Sequence, residues 1–251
     1  MKLVCFVFAV VLAFTVVAHG QDPKAKKNPA PQQSKESFWQ WALRFTGISA
    51  TPNTLKGAGD ELVSGQVWLV DLPSATRRRI TADDGYRSPI YFSSGFDMLA
   101  LHGATVVRIS NGGAKIENLY NIAGITKLVG FSRDAPGEVL ALTEDDAGHV
   151  APARLTLSTG TITPVPYDPQ SDYDHQMLEH LEGWQRSYGE TVVYVKRESK
   201  QALSGPVEVF NVFLKAPGRE PVNVSNCDAA NCGQPSLSPD GNRVLFIRAA
   251  L

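Results

Sequence analysis

From residue 65 onward, short apolar runs alternate with turns rich in Gly, Pro, Asn and Asp. "QPSLSPDGNRVLFI" (234–247) shows the plan most plainly: a strand, a tight turn, then the unbroken apolar run Val244 to Ile247. In Ser238-Pro239-Asp240-Gly241, proline suits the second place of a type I turn, aspartate bonds nearby backbone, and glycine accepts positive φ. A strand with one wet face should alternate, whereas one covered on both faces reads as continuous hydrophobe.

The plan recurs. "SPIYFSSGFDMLAL" (88–101), "GFSRDAPGEVLAL" (130–142) and "GWQRSYGETVVYV" (183–195) each place a turn before an apolar run. Aligning Phe92, Phe131, Trp184 and Leu237 gives separations of 39, 53 and 53 residues. Further strand pairs lie between these hairpins: "TVVRIS" with "AKIENLY", "ARLTLST" with "TITPVPY", and "VEVFNVFL" with "EPVNVS". Each unit is therefore a meander of about four strands that cannot cover both faces of its own middle strands, so units must pack radially or in a stack. The last unit lacks its outer pair, while "GQVWLVDL" (65–72) and "RRRIT" (77–81) are an outer pair without an inner one. Joining them closes a ring. The expected fold is all-β, a small β-propeller with four blades or an incomplete ring; completion by another chain and a two-sheet sandwich are the alternatives.

The N-terminal quarter follows other rules. Leu3 to Ala18 is apolar behind Lys2, and Ala18-His19-Gly20 offers small residues at the cleavage positions, so residues 1–20 read as a secretory signal peptide. No later segment is long and apolar enough to span a bilayer. Residues 21–36 are polar and proline-bearing, a tether. Residues 37–47 predict a short helix, with Ser37 as cap, Gly47 at the far end, and Phe38, Trp41, Ala42 and Phe45 on one stripe widened by Trp39 and Leu43. Residues 60–251 form the propeller domain.

Charge excludes more than it suggests. The net charge is -1, and removing the leader takes away one lysine and no acid, so there is no general attraction to nucleic acid or anionic membrane. Arg77, Arg78 and Arg79 fall on an expected solvated edge strand, where charge discourages stray pairing. Cys227 and Cys232, in "NCDAANC", are expected to pair in the oxidising compartment a leader implies. Their spacing is not that of a redox Cys-x-x-Cys pair. Asn223-Val224-Ser225 is a glycosylation sequon.

The sequence resembles the TolB-like, WD40-like β-propeller repeats of bacterial periplasmic proteins and of the N-terminal propellers of prolyl-oligopeptidase-type peptidases. The likeness is carried by "QPSLSPDGNRVLFIRA" (234–249) and by "GQVWLVDL" with "RRRITADDGYRSPIYFS", and is loose between about 120 and 220. Propellers of this kind bind proteins or peptides, or gate an attached hydrolase. The sequence has no Gly-x-Ser-x-Gly elbow, so a hydrolase domain is not expected with it.

Candidate chemistry concentrates in "DPQSDYDHQMLEH" (168–180). Its two histidines are five apart and diverge on a helix, and it lacks the alternating ligands and central glycine of a calcium loop. It reads as an acidic, solvated or partner-binding insertion. His102 and His149 each follow a turn and read as loop histidines. The expected function is thus a secreted or periplasmic module that binds a protein or peptide without catalysis, contacting it through Phe38, Trp39, Trp41 and Phe45 and through Asp172, Asp174 and His175. No metal, cofactor or nucleic acid is expected, stable membrane insertion after cleavage is not, and oligomerisation is open. The rival readings are a secreted hydrolase or lyase with an axial-channel site, calcium being its candidate ion, and a structural envelope component.

Overall fold

Val244 to Ile247 is apolar at every position because two different cores claim its alternate residues. Leu245 and Ile247 pack with Val67, Tyr91, Met98 and Val107, while Val244 and Phe246 pack on the other side with Val193, Val212 and Leu237. Met98 to Leu101 does the same: Met98 and Ala100 share the first core, and Leu99 and Leu101 join Ile125, Phe131 and Leu155 in a third. Each fully buried Leu, Ile or Phe here contributes roughly 1.5–3 kcal/mol of transfer free energy. A middle strand flanked by two cores requires a sheet on either side.

The computed structural model supplies those sheets and describes residues 64–92, 94–131, 135–168, 170–171, 186–202 and 205–250. All of them lie in one unit, Glu36–Leu251. The leader at 1–20, the tether at 21–36 and the helix expected at 37–47 lie outside the described residues.

In chain order the strands begin with β1 (Gln66–Asp71) and β2 (Thr76–Arg79). β3 (Tyr86–Tyr91), β4 (Met98–His102), β5 (Thr105–Ser110) and β6 (Lys115–Asn121) make an antiparallel meander, blade 1. β7 (Ile125–Phe131), β8 (Glu138–Glu144), β9 (Val150–Thr156) and β10 (Thr161–Pro164) make blade 2. β11 (Ser187–Tyr188), β12 (Thr191–Ala202), β13 (Gly205–Lys215) and β14 (Val222–Asn223) make blade 3. β15 (Ala230–Leu237) and β16 (Arg243–Ala250) pair with each other, and β16 then pairs with β1, giving blade 4 in the order β15-β16-β1-β2. The fold is a four-bladed β-propeller closed by strands from both ends of the described chain.

Side chains reach across the seams as well. Arg77 Nε donates to Val224 O of blade 3 at 2.6 Å, and Arg78 Nη1 donates to Gly112 O of blade 1 at 2.8 Å. β2 is the exposed outer strand that its charge predicted, yet two of its three arginines also hold neighbouring blades. Gly113 lies so close to Ile80 that a Cβ would stand 2.4 Å from that carbonyl oxygen, which ties the β5–β6 turn of blade 1 to the end of β2. Between blades 1 and 2, Tyr120 Oη donates to Leu157 O at 2.6 Å and Arg87 Nη2 to Ile125 O at 3.0 Å.

Three expectations need adjustment. Phe92 is not the counterpart of Phe131 and Leu237; Tyr91 is, since Tyr91–Met98, Phe131–Val139 and Leu237–Val244 are the pairs that close the three hairpins. "EPVNVS" forms a strand only at Val222 and Asn223. β12 runs on through Lys196–Ala202 with no apolar signal of its own, because β13, which carries Val207, Val209 and Phe210 there, pairs with it along its whole length.

Candidate functional site

The innermost strands β3, β7 and β15 share a defect. Their registers shift between Arg87 and Ile90, between Leu128 and Gly130, and between Gly233 and Ser236. In β3 and β15 the bulge is built from an X-Pro pair. Ser88 and Gln234 take φ of 49° and 51°, and proline follows each, disfavouring the right-handed helical region for the residue before it. Left-handed backbone at a non-glycine residue costs roughly 1–3 kcal/mol, so both sites hold conformations that the ring must impose. They meet: the Ser88 N–H donates to Gln234 Oε1 at 2.5 Å, joining blades 1 and 4.

Around this bond lies a cavity of about 30 Å³, lined by Ser88-Pro89-Ile90, Lys127-Leu128-Val129, Arg186 and Gln234-Pro235-Ser236. These come from the inner strands of blades 1, 2 and 4 and from the residue preceding β11 of blade 3, which places the cavity on the propeller axis. Ser88 is 4% exposed, and its Oγ is buried without a hydrogen-bond partner. Such an orphan costs about 1–3 kcal/mol unless something satisfies it. Among the described residues of the lining, Lys127 and Arg186 carry charge.

The hairpin tips of blades 1, 3 and 4 adjoin one another at one end of the ring. Arg243, after the β15–β16 turn, places its guanidinium 5.7 Å from the Tyr91 ring and 5.6 Å from that of Phe96. Tyr188, in the β11–β12 hairpin, lies against Gly241, where an added Cβ would meet the ring at 2.5 Å. Phe96 is nonetheless 74% exposed and Tyr188 52%. Two large aromatics are thus presented to solvent by these hairpins. Within the turn, Ser238 Oγ donates to Asp240 and holds that carboxyl below the usual range. Below it Tyr91 is buried with its hydroxyl unpartnered, and burial pushes its phenol well above the ordinary value.

Of the residues expected from sequence, Phe38, Trp39, Trp41, Phe45, Asp172, Asp174 and His175 lie outside the described residues. Cys227 and Cys232 form the expected disulfide. It closes over a buried polar group: Asn211 Oδ1 accepts from Cys227 N at 2.6 Å and from Ser225 Oγ at 2.9 Å, and its Nδ2 donates to Glu198 at 2.8 Å. The sequon residue Asn223 is half-buried, with Oδ1 accepting from Asn226 N at 2.8 Å.

His102 is exposed at the end of β4, stacked on Tyr86 with centroids 4.5 Å apart, and does not line the axial cavity. His149 closes a turn on Asp145, whose carboxyl is held below its usual range chiefly by the His149 backbone N–H. Among the described residues no group of three or more His, Cys, Asp or Glu is arranged to hold a metal. No described helix is long and apolar enough to cross a membrane. Sequence reading missed Phe96, Tyr188 and the axial cations. An exposed aromatic in a turn carries no periodic signal, and convergence on an axis appears only once four strands are placed.

The sequence matches no family model and no curated protein. Among solved structures the chain is similar to a putative TolB from Agrobacterium tumefaciens, at 14% identity and a TM-score of 0.34 over 71% of this chain and 60% of that one. It is also similar to TolB from Acinetobacter baumannii, at 14% identity and 0.35 over 73% and 48%. The match thus spans about half to three-fifths of those chains.

Proposed function

We propose that the chain is an exported, non-catalytic β-propeller that binds a protein or peptide through the hairpin-tip end of its ring. The observation that carries this reading is the exposure of Phe96 and Tyr188 on tips adjoining the Ser238–Arg243 turn. Aromatic and arginine side chains on a rigid frame lose little freedom on contact, which makes them effective anchors. Export is supported by the leader-like residues 1–20 and by a disulfide, a bond that persists in oxidising compartments. The Trp39/Trp41 segment and the acidic segment around Asp172, Asp174 and His175 belong to the proposed contact set on sequence grounds.

Affinity capture from envelope extract tests it, with the wild type beside Phe96→Ser, Tyr188→Ser and Trp39→Ser/Trp41→Ser variants. The same captured protein should be lost from the Phe96 and Tyr188 variants while their melting is unchanged. Equal capture by all variants contradicts the proposed surface, and equal capture by the tryptophan variant alone removes the 37–47 segment from it.

A further inference from the structure

We propose that Asn111-Gly112, in the turn between β5 and β6, is a site of spontaneous covalent modification, at which the asparagine amide is lost through a cyclic imide and the product loosens the seam between blades 1 and 4. The inference is independent of what the hairpin tips bind. Its first support is that the fold demands this pair here. Asn111 and Gly112 take φ of 49° and 63° in succession, the backbone of a primed hairpin turn, for which Asn-Gly is the favoured pair. Position 112 has no space for a side chain, since a Cβ would stand 2.7 Å from Arg78 Nη2. That demand has a chemical consequence. This is the only Asn-Gly pair in the sequence, and glycine leaves the backbone nitrogen that attacks the asparagine amide unshielded.

The second support is the freedom of the side chain. Asn111 is exposed, and among the described residues its side-chain amide has no hydrogen-bond partner. Asp240-Gly241 differs: its carboxyl accepts from Ser238 Oγ, from Asn242 N at 3.1 Å and from Arg243 Nη2 at 3.4 Å. An ionised carboxylate is also a poorer electrophile than an amide, which sets Asp84-Gly85 behind Asn111 as well.

The reaction needs only water. As the Gly112 nitrogen attacks Asn111 Cγ, the N–Cγ bond forms and the Cγ–Nδ2 bond breaks, and ammonia leaves with the proton that the glycine nitrogen gives up. Water then opens the imide at one carbonyl or the other, giving aspartate or, in excess, isoaspartate. Isoaspartate adds a methylene to the main chain, and the turn has no room for it. Arg78 Nη1 donates to Gly112 O at 2.8 Å, and a Cβ on Gly113 would meet Ile80 O at 2.4 Å. The closed turn also resists the attack, because the Asn111–Gly112 linkage must first rotate toward its own side chain. Arg78 therefore slows the reaction, and its bond is lost when the reaction occurs.

Purified protein aged in mildly alkaline buffer tests this, read by peptide mass mapping and by isoaspartyl methyltransferase labelling. Asn111 should convert several-fold faster than any other asparagine. Conversion spread evenly over the asparagines, or sparing Asn111, overturns the proposal, as does undiminished labelling of an Asn111→Gln variant. Arg78→Met should raise the rate at Asn111 several-fold. Aged wild type, separated from unreacted chain by charge, should melt roughly 2–4 °C lower, while aged Asn111→Gln melts as its fresh form does. An unchanged rate in Arg78→Met, or an equal fall in melting for wild type and Asn111→Gln, contradicts the link to the seam.

Discussion

Val67 and Ile247 are cross-strand partners, both fully buried, although one lies in the first described strand and the other in the last. Their pairing puts β1 and β2 in the place that the C-terminal hairpin leaves empty. Blade 4 consequently has two middle strands from opposite ends of the described chain, and ring closure is a matter of sheet register rather than of surface contact alone.

The arginine run separates closure from mere surface charge. Arg77→Met should cost about 1–2 kcal/mol through loss of a partly buried, charged hydrogen bond to blade 3, and Arg78→Met somewhat less, because its bond to Gly112 is exposed. Arg79→Met should fall within about 0.5 kcal/mol of wild type. Urea denaturation of the three variants checks the order, and equal losses would show that charge, not the two bonds, is what matters.

Tyr91 is a site where removing a polar atom should help. Its hydroxyl is buried and unpartnered, so Tyr91→Phe should be neutral or stabilising by up to about 1 kcal/mol. The phenol's folded pKa is raised, first by burial. The neutral form is therefore favoured in the fold, and the associated stability is present below the unfolded value near 10 and lost as pH rises above it. Thermal melting of wild type should decline above about pH 10. The Tyr91→Phe variant should decline less, and parallel curves would refute the assignment.

Asn211 and the disulfide should prove unequal. The bridge closes a sequence separation of 5, so its entropic contribution is about 2 kcal/mol at most. Asn211→Leu strands the buried Cys227 N–H and leaves the Ser225 hydroxyl and the half-buried Glu198 to their longer bonds with Asn223, and should cost about 3 kcal/mol. Melting of Asn211→Leu against a Cys227→Ser/Cys232→Ser variant checks the ranking.

The middle strands were legible because burial on two faces erases alternation, and Met98–Leu101, Val139–Leu142 and Val244–Ile247 all carry that signature. Turn chemistry placed Gly241 and Gly189 correctly. The repeat is misaligned by one residue at Phe92 because Tyr91 and Phe92 are adjacent aromatics, and only the Tyr91–Met98 pairing shows which of them closes the hairpin. The extension of β12 through Lys196–Ala202 has no apolar pattern of its own, since the apolar residues of that ribbon, Val207, Val209 and Phe210, all lie on β13. Of the candidate site, the disulfide could be read from spacing and compartment. The axial cavity could not, since Lys127, Arg186 and Gln234 are far apart in sequence and individually ordinary.

Cross-strand nuclear Overhauser effects between β1 and β16 test ring closure most directly. The account predicts contacts for Val67 with Ile247, Trp68 with Phe246 and Leu69 with Leu245 in uniformly labelled protein. It also predicts that none of them survives as an intermolecular signal in a mixture of labelled and unlabelled chains. Absence of these contacts, or their appearance between chains, would contradict a propeller that closes on itself.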